Sequence, residues 1–141
     1  MKVLGIDNVF LPVGDLTQAV QFYQDLLGLP VAKRFDHMKT VLFQIGDETP
    51  GLGVVEADVE TVAETVVETA VAGTAATAGQ QKIWFEVADA CGAADELVAA
   101  GVVLINAPMQ IPTGWAVEVS DPWGNIIGLT DYTVRPDLGR A

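Results

Sequence analysis

TGWAVEVSDPWGNIIGLTDY, residues 113–132, is the stretch whose reading decides the fold. Trp115, Val117 and Val119 alternate with Ala116, Glu118 and Ser120, the two-residue period of a strand, and the apolar pattern resumes from Ile126 to Leu129. Between the runs, Pro122 presets its backbone φ behind Asp121, and Gly124 and Asn125 both tolerate positive φ. Pattern and turn chemistry agree on a β-hairpin, and the rest of the chain reads as what packs beside it.

Working back from the hairpin, Lys82 opens a strand with Ile83, Phe85 and Val87 on one face and Lys82, Trp84 and Glu86 on the other. Asp89 then caps a helix carrying Ala90, Ala93, Ala94, Leu97 and Val98, which ends at Gly101, and two short strands lead into the hairpin. The first half has the same order. A strand from Ile6 to Val13 sets Val9, Leu11 and Val13 against a helix and leaves Asn8 and Phe10 on its other face. Asp15 stands three residues before Gln18 as a capping box, and Leu16, Ala19, Val20, Tyr23, Leu26 and Leu27 recur at helical spacing until Gly28 and Pro30. Strands are predicted at Val31–Phe35 and Thr40–Ile45 around a turn holding Asp36 and His37, with a fourth at Leu52–Glu56 after a Gly46–Gly51 turn. Placing LPVGD (Leu11–Asp15) over FEVAD (Phe85–Asp89) brings Ala19 over Ala93 and Tyr23 over Leu97, an internal duplication. The reading is an α+β domain of two βαβββ modules, residues 1–57 and 82–133, with a linker at 58–81 and a tail at 134–141. Within the linker, Val59, Val62, Ala63, Val66, Val67, Ala70 and Val71 follow helical spacing, and Gly73–Gln81 reads as a flexible connector.

Half of the 141 residues are hydrophobic, enough for a sizeable core. A net charge of −12 repels phosphate backbones and anionic lipid heads, so neither nucleic acid nor a membrane surface is an expected partner. No apolar run reaches the roughly 20 residues of a spanning helix, the N-terminus runs straight into a strand pattern, and the single cysteine, Cys91, precludes an internal disulfide; a cytoplasmic setting is expected.

Three segments, LPVGDLTQAVQFYQDLLGLPV, FEVADACGAADELVAAGV and DPWGNIIGL, resemble the vicinal oxygen chelate superfamily in its glyoxalase, bleomycin-resistance and dioxygenase branch. The resemblance implies paired βαβββ modules curling into a cleft, commonly completed in a homodimer. It also implies four strand positions for a metal, which fall here on Asn8, Glu56, Lys82 and Gly128. Only Glu56 is a good ligand: Lys82 would set an ammonium against the ion and Gly128 offers no side chain, so neither a metal nor another cofactor is expected.

Other candidates come from the residues themselves. Trp84, Phe10 and Trp115 would give the cleft aromatic walls, with Glu56 and Glu86 as nearby carboxylates, a combination suited to a flat or cationic organic ligand. His37, the only histidine, is a ligand contact if any histidine is; Cys91 with His37 as a thiolate pair is a remote option; Trp123, in the turn, is expected to meet solvent or a subunit. From Thr40 to Gln81 there are seven carboxylates and no Lys or Arg, either a solvated face or a funnel for cations. The expected function is metal-independent binding of an aromatic or cationic small molecule at Asn8, Phe10, His37, Glu56, Lys82, Trp84, Glu86, Trp115 and Gly128, with no catalytic residue assigned. The alternatives are a glyoxalase-like lyase, isomerase or dioxygenase with a divergent metal site, and a module kept for dimerisation alone.

Overall fold

In the computed structural model, which describes residues 1, 2, 4, 6–58 and 81–140, the chain divides into two compact units, Met1–Glu60 and Thr61–Ala141. The helix expected over Val59–Val71, and all but the last residue of the Gly73–Gln81 connector, lie outside the described residues.

In the first unit, β1 (Asn8–Val13) leads to α1 (Leu16–Val20), then β2 (Val31–Phe35), β3 (Thr40–Ile45) and β4 (Glu48–Glu56), in the sheet order β1-β4-β3-β2. The second unit repeats this with β5 (Lys82–Glu86), α2 (Ala90–Ala99), β6 (Met109–Ile111), β7 (Gly114–Ser120) and β8 (Ile126–Thr130), in the order β5-β8-β7-β6. In each sheet the first strand pairs parallel with the last and the remaining neighbours are antiparallel. The βαβββ reading therefore holds in both units.

Both helices start as their sequences direct. Asp15 accepts a hydrogen bond from Gln18 N at 2.8 Å, and Asp89 from Gly92 N at 3.0 Å. Their apolar faces lie on the sheets: Leu16, Ala19, Phe22 and Tyr23 are buried in the first unit, and Ala90, Ala94 and Leu97 in the second. Tyr23 and Phe43 meet with ring centroids 5.8 Å apart. Fully burying such a side chain stabilises by about 1.5–3 kcal/mol.

The structure departs from expectation in several places. β1 starts at Asn8 instead of Ile6. The first helix is not uniform: after Val20 it widens into a π-turn over Gln21–Leu26, with Leu27 N donating to Phe22 O. Val98 is exposed at the end of α2. One of the two short strands before the hairpin is a single bridge, Leu104 to Val119. β4 begins at Glu48, because Ile45 already pairs with Glu48 and only Gly46 and Asp47 make the turn.

The hairpin pairs Ser120 with Ile126 across a loop built on Asp121. Its buried carboxylate accepts from Trp123 N and Asn125 N at 2.9 Å and from Asn125 Nδ2 at 2.7 Å, and Gly124 alone takes positive φ. Trp123, expected at solvent or a subunit, is 6% exposed, drawn inward by this tight loop.

A second buried carboxylate, Asp131, follows β8. It accepts from Ala90 N (2.8 Å), Trp115 N (3.0 Å) and both the backbone and hydroxyl of Thr133 (3.2 and 2.7 Å), joining the helix start to the hairpin. Burial pushes its pKa up, but the bonds from Ala90, Thr133 and Trp115 outweigh it and leave the carboxyl below its ordinary value.

Candidate functional site

Strand register alone assembles the most distinctive cluster. Alternation on β5 puts Lys82, Trp84 and Glu86 on one face, parallel pairing sets Gly128 of β8 beside Trp84, and antiparallel pairing sets Glu118 of β7 opposite Gly128. The Trp84 indole lies flat in the space over Gly128, where a Cβ would stand 2.2 Å from Cδ1 and 2.4 Å from Nε1. Trp84 Nε1 donates to Glu118 Oε2 at 2.8 Å, and Lys82 Nζ lies 2.9 Å from the same oxygen. Glu118 is 1% exposed, so its charge is compensated inside the protein, and truncating Lys82 would destabilise by removing an ion-pair partner of a buried carboxylate. Trp84 is 37% exposed, and its indole is fixed at its polar edge.

The first unit carries the counterpart. Phe10 of β1 pairs with Gly53 of β4, and Leu42 of β3 pairs with Gly53 from the other side. A Cβ on Gly53 would stand 2.4 Å from the Phe10 ring and 3.1 Å from Leu42 Cδ2. Asn8 lies over Gly51 in the same way and donates to Asp7 Oδ2 at 3.0 Å. Here the aromatic ring has no polar tether, and Phe10 is 51% exposed.

Several expected site residues lie elsewhere. Glu56 shares the face of Leu52 and Val54, the helix side of the sheet, and its carboxylate accepts from Leu16 N (3.3 Å) and faces Lys39 (3.8 Å). It is therefore on the opposite face from Phe10, because five residues of alternation from Leu52 bring it to the helix N-terminus. Trp115 shares the face of Val117 and Val119, so pleating sets it on the helix side, away from Trp84. Glu86 is on the Trp84 face, but the Arg140 backbone N–H and guanidinium engage it and hold its carboxyl below the usual range against a smaller effect of burial. His37 is exposed in the Asp36–Met38 turn, its ring edge-on to Phe35. The Cys91 thiol is pushed up by burial and then by the Asp89, Asp131 and Asp95 carboxylates, which disfavours a thiolate nucleophile.

The donor set at the four implied metal positions does not fit an ion. Lys82 presents an ammonium paired with Glu118, the Trp84 indole fills the space over Gly128, Asn8 is turned to Asp7, and Glu56 is at a helix N-terminus. Among the described residues, no three His, Cys, Asp or Glu side chains gather in a way that could hold a metal. No helix there is long and apolar enough to cross a membrane.

Sequence reasoning assigned no role to Glu118, naming it only as alternating with Val117 and Val119. Both faces of β7 are buried. The available signal was hairpin register, which sets Glu118 across from Gly128 and hence beside the strand carrying Lys82 and Trp84.

A family model described as Glyoxalase/Bleomycin resistance protein/Dioxygenase superfamily matches residues 5–129. No functionally curated protein matches the sequence. Among solved structures, the chain is similar to TnmS3, an antibiotic binding protein from Streptomyces sp. CB03234, at 20% identity and a TM-score of 0.70, covering 94% of this chain and 99% of that one. It is also similar to lactoylglutathione lyase from Agrobacterium tumefaciens at 20% identity and a TM-score of 0.67, covering 95% of this chain and 98% of that one. A member of the same superfamily from Sphaerobacter thermophilus gives 20% identity and a TM-score of 0.68, covering 92% and 98%. At these identities the likeness speaks for the fold alone.

Proposed function

Because the chain belongs to the Glyoxalase/Bleomycin resistance protein/Dioxygenase superfamily, we propose that it binds a small planar aromatic molecule without a metal and releases it unchanged. The observation that carries this reading is the Trp84 indole, laid over Gly128 and tied to Glu118, in a residue that stays partly exposed. A ring fixed before the ligand arrives loses little rotamer freedom on binding. Stacking on it supplies about 0.5–1.5 kcal/mol beyond burial of area. The Phe10 ring over Gly53 offers a second, purely apolar surface. The similar antibiotic binding protein gives binding of a small molecule a precedent on the fold.

The cationic part of the expected ligand loses its local support, since Glu56 lies on the helix side and Glu86 is engaged by Arg140. A homodimer belongs to the same reading, because β2 and β6 stand at sheet edges that pairing with a second copy would cover; light scattering at micromolar concentration checks it, a monomer counting against it.

The test is to incubate chelator-treated protein with a panel of planar aromatic compounds, follow tryptophan fluorescence, and recover each compound for mass spectrometry. Quenching with intact recovery supports the reading. Consumption of the compound with turnover replaces it with an enzyme.

A further inference from the structure

The end of the chain is tied back to the strand that carries Trp84. Beyond Asp131 the backbone N–H groups of Val134 and Arg135 both donate to Thr113 O, at 3.0 and 3.1 Å. One 3-10 turn over Pro136–Leu138, braced by Arg135 Nη2 on Asp137 Oδ2 at 2.7 Å, then carries the chain to Gly139. Gly139 has no room for a side chain: a Cβ there would stand 2.9 Å from Tyr132 Cβ and 3.0 Å from Glu86 Oε1. Arg140 closes the contact, its backbone N–H donating to Glu86 Oε1 and its Nη1 to Glu86 Oε2, at 2.5 and 2.6 Å. Register sets where this happens. Trp84 pairs with Gly128 and Glu86 with Thr130, so the tail meets the sheet one same-face step beyond the Trp84–Gly128 row, about 6–7 Å along β5. The Glu86 side chain keeps only 15% exposure there, although it ends an outer strand of its sheet.

We propose that the segment Val134–Arg140, latched by Arg140 on Glu86, is a wall of the Trp84 stacking surface that limits how far a planar ligand extends along β5 and so selects compact rings over elongated ones. The inference rests on the stacking function proposed above and names the shape of its ligand. A ring lying on the indole and directed along β5 meets the latch after two residues of strand, roughly the length of two fused rings. The wall is held by two backbone bonds, a braced turn and a two-pronged carboxylate contact, so it stands before the ligand arrives and packing against it costs little ordering. Arg140 and Glu86 act as positioning residues, and neither charge is required to touch the ligand.

The test uses neutral probes of like chemistry and different length, quinoline and the linear three-ring acridine, titrated by calorimetry at mildly alkaline pH, where neither is protonated. The latch is released from either side, by Glu86→Ala on the strand and by Gly139→Val with Arg140→Ala on the tail, and hydrogen exchange of the tail amides reports the release itself. Where a variant leaves the tail protected, deletion from Pro136 onward replaces it. The expected result is that each release raises the affinity for acridine relative to quinoline by about fivefold or more. Trp84→Ala, with the tail latched, should weaken both probes. A ratio that keeps its wild-type value with the tail freed, or that changes only in Glu86→Ala, would overturn the wall and leave the stacking function standing. No binding of either probe would overturn both.

Discussion

The two units share a backbone plan and differ on one face. Asp15 and Asp89 cap the helices alike, and Glu56 and Asp131, each at the end of its last strand, accept from the first helical N–H, Leu16 and Ala90. Phe10 over Gly53 matches Trp84 over Gly128. On that same face, Asn8 and Leu42 in the first unit stand where Lys82 and Glu118 stand in the second. Both copies keep the caps and the strand-pair glycine beneath an aromatic ring. At the remaining positions one copy sets an amide and a leucine where the other holds an ion pair, and the proposed stacking site lies in the second unit.

The largest break in this symmetry is at the helix starts. Asp131 takes four hydrogen bonds while Glu56 takes a single long one from the backbone. Asp131→Ala should destabilise by about 3 kcal/mol or more, leaving buried N–H groups unmatched, and Glu56→Ala by no more than about 1 kcal/mol; chemical denaturation measures both. Gly114→Ala should resemble Asp131→Ala, because its Cβ would stand 2.1 Å from Asp131 Oδ1.

The same carboxylate sets a pH dependence. Asp131 is held below its ordinary pKa of 3.8, so its contribution is complete above that value and is lost as pH falls through the lower folded value. Asp131→Asn should flatten the acid limb of a stability–pH curve below about pH 4. An unchanged limb would assign acid unfolding to other groups.

The glycines sharpen the contrast with a smaller effect. Gly128→Ala must displace the Trp84 indole from Glu118, and a loss of about 1–3 kcal/mol is expected with loss of ligand quenching. Gly53→Ala displaces only the untethered Phe10 ring, and about 1 kcal/mol or less is expected. Equal effects would remove the distinction between a tethered and a free ring.

What the sequence disclosed was mostly local. Asp15 and Asp89, the alternation of β1, β5 and β7, and the Asp121–Asn125 turn act within a few residues, and the repeat then multiplied each signal. What escaped depends on pairing. Glu118 draws no assignment until the hairpin register sets it against Gly128, and Glu56 reads as facing the ligand until its register puts it at Leu16 N. The segment Glu48–Gly51 looks like a turn, yet it is strand, and its glycine is needed because Asn8 lies against it. A glycine inside a strand signals close approach of something else. Gly51, Gly53 and Gly128 all carried that signal.

The most direct test of a metal-free stacking site built on Trp84 is a fluorescence titration of one quenching aromatic ligand against protein with and without prior chelation, beside Trp84→Ala. The predicted result is the same affinity before and after chelation and a loss of about tenfold or more in the variant. Binding that disappears on chelation, returns with added divalent metal and persists in Trp84→Ala would contradict it.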